Sequence, residues 1–119
     1  MTYRDNLEKV RQAFDDIMVE WPAYTDLQLA QSMPCWFVFM DGLDFSEPRK
    51  VSKLLVRVIG VGGYVDAADS QNICADMAYQ AEPVVKTLGF NVEGTGVDTM
   101  DWDDRKVWYF SLSFTYSYD

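Results

Sequence analysis

The 119 residues read as an α+β fold: a small, mostly antiparallel β-sheet with two helices packed on one face and a long C-terminal β-hairpin. Two separated segments carry apolar residues at three- and four-residue spacing, the mark of amphipathic helices. Aromatic and β-branched runs lie between and after them. The stretch from Lys106 to Tyr118 alternates strictly, with Trp108, Phe110, Leu112, Phe114, Tyr116 and Tyr118 on one side and Val107, Tyr109, Ser111, Ser113, Thr115 and Ser117 on the other. Domains commonly run about 100–150 residues, so residues 1–119 are expected to form a single domain around one core.

The first helix is predicted to open on a capping box. Thr2 accepts from the backbone at Asp5, whose carboxylate reaches back and complements the helix dipole. Leu7, Val10, Phe14, Ile17, Met18 and Trp21 supply its apolar stripe, and Pro22 ends it, because the residue before proline is pushed out of helical geometry. Tyr24 to Pro34 is a connector with room for a short strand at Leu27–Leu29. Cys35 to Met40 reads as a buried strand, interrupted by a bulge or turn at Asp41-Gly42 and continued by Leu43–Phe45. Ser46 to Arg49 is a turn.

From Val51 to Val61 the chain returns as the second arm of a hairpin. Leu54, Val56 and Val58 share one face, while Lys53 and Arg57 face water. Gly60, Gly62 and Gly63 are expected to release the chain from the sheet. The second helix starts near Asp66 or Asp69, either of which serves as N-cap. It buries Ile73, Met77, Ala81, Val84, Val85 and Leu88. Pro83 should kink or restart it, and Gly89 stands where a C-terminal cap belongs. Phe90 to Met100 is a weaker strand containing Gly94 and Gly96. The acidic tip Asp101-Trp102-Asp103-Asp104-Arg105 then leads into the closing strand.

The length of that strand is informative. Thirteen residues at about 3.3 Å each span roughly 43 Å, whereas a compact domain of this size is only about 35 Å across. Either the strand protrudes with its partner as a β-arm, or it coils around its own helix.

Composition narrows the function. Hydrophobic residues make up 49 % and aromatics 15 %, which suits a packed domain. No apolar run approaches the roughly 20 residues of a membrane-spanning helix, and a polar N-terminus leaves no secretory signal to read. A soluble protein made in a cytoplasm is expected. The net charge is −9. Residues 1–60 hold nine acids against seven bases, and residues 61–119 hold ten against three. Such an acidic half repels phosphate, so direct nucleic-acid binding is not expected. The one basic cluster, Arg49, Lys50, Lys53 and Arg57, reads as the solvent side of a strand. Trp36-Phe37-Val38-Phe39 reads as a core strand rather than a base-stacking platform.

Histidine is absent, which removes the commonest general base and transition-metal ligand. The Gly60–Gly63 stretch has neither the GxGxxG order nor the lysine of a phosphate loop. Cys35 and Cys74 are expected to be small buried hydrophobes, with a disulfide between them the less favoured alternative. Asp98, Asp101, Asp103 and Asp104 could hold Mg²⁺ or Ca²⁺, since such cations take carboxylate oxygens, but a solvated acidic turn is preferred. Asp15 and Asp16, adjacent on a helix, point in different directions and form no catalytic pair. No cofactor is expected.

Several local features also coincide with a known family. Met33-Pro34-Cys35-Trp36-Phe37-Val38 forms an apolar-Pro step into a strand, and Pro83-Val84 sits inside the second helix. Asp98-Thr99-Met100-Asp101-Trp102-Asp103-Asp104 precedes Trp108 and the run Leu112-Ser113-Phe114-Thr115-Tyr116. In this order the chain resembles the tail terminator proteins of long-tailed bacteriophages, the U-type minor tail protein family. The resemblance implies a homo-oligomeric ring, a hexamer, that caps the last ring of tail-tube protein. It implies that polymerisation stops there and that a surface is presented to a head-completion or connector protein. The place would be the head-proximal end of the virion tail, assembled in the host cytoplasm, with neither nucleic acid nor membrane as direct partner. On that reading the contact residues are the acidic tip, Asp101, Trp102, Asp103, Asp104 and Arg105, and the hydroxyl face of the last strand, Tyr109, Ser111 and Ser113. A head–tail joining or adaptor protein of the neck is the first alternative. A Mg²⁺-dependent hydrolase using Asp98, Asp101, Asp103 and Asp104 is the second.

Overall fold

The computed structural model describes residues 3–25, 33–47, 50–88, 92–94 and 96–117. The elements are α1 (Tyr3–Asp15), β1 (Ala23–Tyr24), β2 (Cys35–Glu47), β3 (Lys50–Tyr64), α2 (Ser70–Leu88), β4 (Val92–Gly94), β5 (Asp98–Trp102) and β6 (Arg105–Ser117). They build the expected α+β fold. The strands form one six-stranded sheet in the order β1-β2-β3-β6-β4, with β5 pairing β6 alongside β4. Among the described strands, only β1 runs parallel to its neighbour. The pairs β2–β3, β3–β6, β4–β6 and β5–β6 are antiparallel.

Both helices pack on the same face of the sheet. Period-two alternation puts Trp36 and Val38 of β2, Leu54, Val56 and Val58 of β3, and Phe110 and Phe114 of β6 on that face, where they meet Val10, Phe14, Cys74, Met77 and Ala81. Trp36 is the centre of the cluster, with ring centroids 4.9 Å from Phe14, 5.6 Å from Phe110 and 6.3 Å from Trp21. Burying a side chain of this kind contributes roughly 1.5–3 kcal/mol through area removed from water.

Four local expectations need correction. Helix α1 ends at Asp15, six residues before Trp21. The Asp15 carboxylate accepts the Ala23 N–H at 2.9 Å, which requires the chain to turn back. Trp21 still reaches the core, whereas Met18 is exposed. Helix α2 runs through Pro83 to Leu88 without a break. Proline removes one bond, that to the Tyr79 carbonyl. Buried Met77 and Ala81 before it, and half-buried Val84, Val85 and Leu88 after it, hold the two halves on the sheet.

The glycines do not release the chain from the sheet, because all three lie within β3. A Cβ on Gly62 would stand 2.5 Å from Cys74 Cβ and 2.7 Å from the Ser70 carbonyl oxygen. Glycine there allows α2 to lie directly on the strand. Finally, the stretch read as one strand from Phe90 to Met100 is two, β4 and β5, both on the outer edge of β6.

The bulge at Asp41 is present, as a register shift between Met40 and Gly42. The Thr2 cap, a strand at Leu27–Leu29, Pro48 and Arg49 of the turn, and the Gly89 cap lie outside the described residues. The molecule measures 49 × 30 × 23 Å, with a radius of gyration of 14.7 Å against about 13.5 Å for a compact chain of this length. Its long axis thus exceeds the compact width, in keeping with central strands of 13, 15 and 13 residues.

Candidate functional site

The β5–β6 hairpin brings the predicted tip together. Trp102 pairs with Arg105 across a two-residue turn, Asp103-Asp104. Both turn residues have positive φ, 52° and 65°, the pattern of the tight hairpin turn that matches strand twist. Aspartate tolerates the left-handed region better than most residues, and glycine or asparagine better still. The side chains of Asp101, Asp103 and Asp104 are exposed.

Arg105 anchors the tip to the rest of the domain. Its guanidinium lies 3.5 Å above the Tyr64 ring and donates to the Asp66 carboxylate at 2.8 Å. That hydrogen bond holds the Asp66 carboxyl below its usual value. A carboxylate with a lowered folded-state pKa strengthens its pairing above its unfolded pKa, and the contribution is lost as pH falls through the folded value. The Val65 N–H donates to the Lys106 carbonyl at 2.9 Å, closing the same junction through the backbone.

Trp102 is half-buried and packs on Phe37 at 5.1 Å between ring centroids. It belongs to a second apolar cluster, on the face opposite the helices, built on Cys35, Phe37, Val61 and Val107. This cluster changes the reading of β6. Its hydroxyl face is not uniformly open: Val107 is fully buried and Ser111 is 7 % exposed, while Tyr109 and Ser113 are half-buried. Ser111 is therefore a packed residue, and Trp102 is as much an anchor as a contact. Farther along the same face Arg57 pairs with Asp41 at 3.0 Å, so only Lys53 of the two cations is fully exposed.

The structure separates the carboxylates considered as a metal set. An odd spacing on β5 sends Asp98 and Asp101 to opposite faces of the sheet. Asp98 accepts from the Thr99 N–H at 2.7 Å, and Asp101 pairs with Lys106 at 3.6 Å. Among the described residues, no group of three or more His, Cys, Asp or Glu side chains is placed to hold a metal ion.

Between the hairpin, the end of β3 and the start of α2 lies a cleft of about 490 Å³. Met33, Pro34, Cys35, Gly62, Gly63, Tyr64, Ala67, Ala68, Ser70, Ile73, Trp102 and Asp103 line it. Of these, only Trp102 and Asp103 stand among the contact residues expected from sequence. The others come from two segments far apart in the chain, 33–35 and 62–73, and a glycine pair followed by small residues at Ala67-Ala68 is the sole local sign of a concavity.

Cys35 and Cys74 are free and fully buried, in clusters on opposite faces of the sheet. Burial pushes the Cys35 thiol up to about 12 and the Cys74 thiol up to about 11. The thiolate is the nucleophile, so iodoacetamide at pH 8 should modify neither thiol in the folded protein and both in urea. Mass spectrometry of the two samples checks this, and rapid native labelling at either position contradicts the packing described.

Among the described residues no helix is long and apolar enough to cross a membrane. No protein-family model matches the chain, and no curated protein matches it.

Proposed function

We propose that this chain is a structural subunit of a phage tail, one that assembles into a ring, caps the tail tube and offers a joining surface to the head. The observation that carries the reading is the shape of the sheet. Strands of 13 to 15 residues draw the domain out to 49 Å, longer than either helix. A 13-residue helix spans about 20 Å and a 19-residue helix about 28 Å. Extended sheet that outruns its own helices is suited to pairing or packing with a neighbouring subunit. The exposed carboxylates at the β5–β6 turn sit at a sheet end, where they keep free copies apart through charge until a basic partner neutralises them.

The mechanism is capping. A surface complementary to the tube end is offered on one side only, so growth stops where the ring binds. The same geometry serves a head–tail joining protein, which differs only in its partner.

The test is the mass of the protein in solution. Light scattering or native mass spectrometry at high concentration should give a single closed oligomer, a hexamer on this reading, with rings visible by negative-stain microscopy. A strictly monomeric species, with or without Mg²⁺, would overturn the ring.

A further inference from the structure

We infer that the cleft between the β5–β6 hairpin and the start of α2 is a docking pocket for a partner protein's basic, aliphatic segment, an Arg or Lys side chain beside an apolar one. This rests on the reading of the acidic tip as an assembly surface and names the chemistry it selects.

The walls are mixed: Met33, Ala68, Ile73 and the half-buried Trp102 offer apolar surface beside Tyr64, Ser70 and Asp103, around a space of about 490 Å³. That volume lies within the range of specific small sites, roughly 300–1,000 Å³, and exceeds what one side chain needs. The rim is acidic. Asp103 lines the cleft, Asp104 follows it, and Asp69 adjoins the lining pair Ala67-Ala68; all three are exposed. The adjoining base, Arg105, is already held by Asp66 and the Tyr64 ring.

A long cationic side chain fits this combination because its stem is apolar and its head charged. Trp102 adds an aromatic face on which a guanidinium gains further attraction. Ser70 also lines the cleft and is 3 % exposed, so its hydroxyl adds a polar group to the lining. An anionic guest, a nucleic acid included, meets the same carboxylates as a barrier.

The experiment uses the full chain and a synthetic probe, acetyl-Leu-Arg-Leu-Lys-Leu-amide, with a Glu-for-Arg/Lys analogue as control. Calorimetric titration at low salt should show saturable binding of the basic peptide and none of the acidic one. Two variants locate the site. Ala68→Trp fills the cleft from an exposed loop position and should weaken binding at least about tenfold, the effect of losing a central pocket contact. The pair Asp103→Asn and Asp104→Gly neutralises the rim while supplying the residues that the turn prefers. It should weaken binding several-fold yet melt no lower than the native protein, which separates lost charge from lost fold.

No binding, equal binding of the acidic peptide, or binding that Ala68→Trp leaves unchanged would each overturn the inference. Oligomer mass measured on the same samples keeps it apart from the ring. Rings that form without peptide binding remove only the docking pocket, and a monomer that binds the peptide removes only the ring.

Discussion

A chain terminated after Arg105 should not fold. Strand β6 is interior to the sheet, with β3 along one side and both β4 and β5 along the other. Its removal leaves β4 and β5 without a partner, bares one side of β3, and strips Phe110 and Phe114 from the helix-covered core and Val107 from the opposite cluster. A single truncation such as Phe114→Ala is expected to lower stability by about 3–5 kcal/mol. That is a large part of the roughly 5–15 kcal/mol that holds a typical domain together. Loss of the whole strand exceeds it several times over. The shortened protein should show no near-UV circular dichroism and no cooperative melt, while Phe114→Ala retains both at a lower midpoint. A cooperative transition in the shortened chain would mean that β6 is peripheral, against the register found here.

The second large effect concerns Gly62. An alanine there would place its Cβ 2.5 Å from Cys74 Cβ, 2.7 Å from the Ser70 carbonyl oxygen and 2.8 Å from Cys74 Cα. Two of those atoms are backbone, so relief requires α2 to lift from β3 rather than one side chain to turn. Gly62→Ala should therefore destabilise by about 3 kcal/mol, the upper end of the usual overpacking range. Gly42→Ala is the matched control. Its Cβ meets nothing closer than Leu55 Cδ1 at 3.8 Å, and it should stay within about 0.5 kcal/mol of the native protein. Urea melts of the two variants decide the matter. Equal midpoints would mean that the helix does not sit on the strand.

These two sites also show how far local pattern reaches. Alternation along β6 announced both the strand and its helix-facing residues, because a period of two has one structural meaning over thirteen positions. The same alternation on Leu54, Val56 and Val58 located β3, and their burial is complete. Helix α2 was legible from Met77 and Ala81 onward, although Cys74 and Ser70, which face the Gly62-Gly63 step, did not belong to the stripe read from spacing. The role of those glycines depends on what lies across from them, which no window of sequence contains. Pro83 was expected to kink or restart the helix, and tertiary packing on both sides of it prevailed over local propensity.

The tip shows the same division. Four aspartates within seven residues could be counted in the chain, but their directions could not. The strand register set Asp98 and Asp101 on opposite faces, and the turn aimed Asp103 and Asp104 at solvent. Tyr109, Ser111 and Ser113 were read as one open hydroxyl face. The same face carries Val107 of the second apolar cluster, with Cys35, Phe37, Val61 and Trp102, and Ser111 on it is buried.

The amino-acid sequence by itself determined the class of fold, the two helices, the core strands and the long alternating strand that closes the sheet. Each of these is a periodicity enforced by burying one face, a short-range property that survives without knowledge of the partner. Tertiary structure alone decided the sheet order, the point where α1 turns back, the second apolar face and the cleft beside Trp102. These arise where residues distant in the chain meet, and contact between distant residues is set by packing rather than by any local pattern.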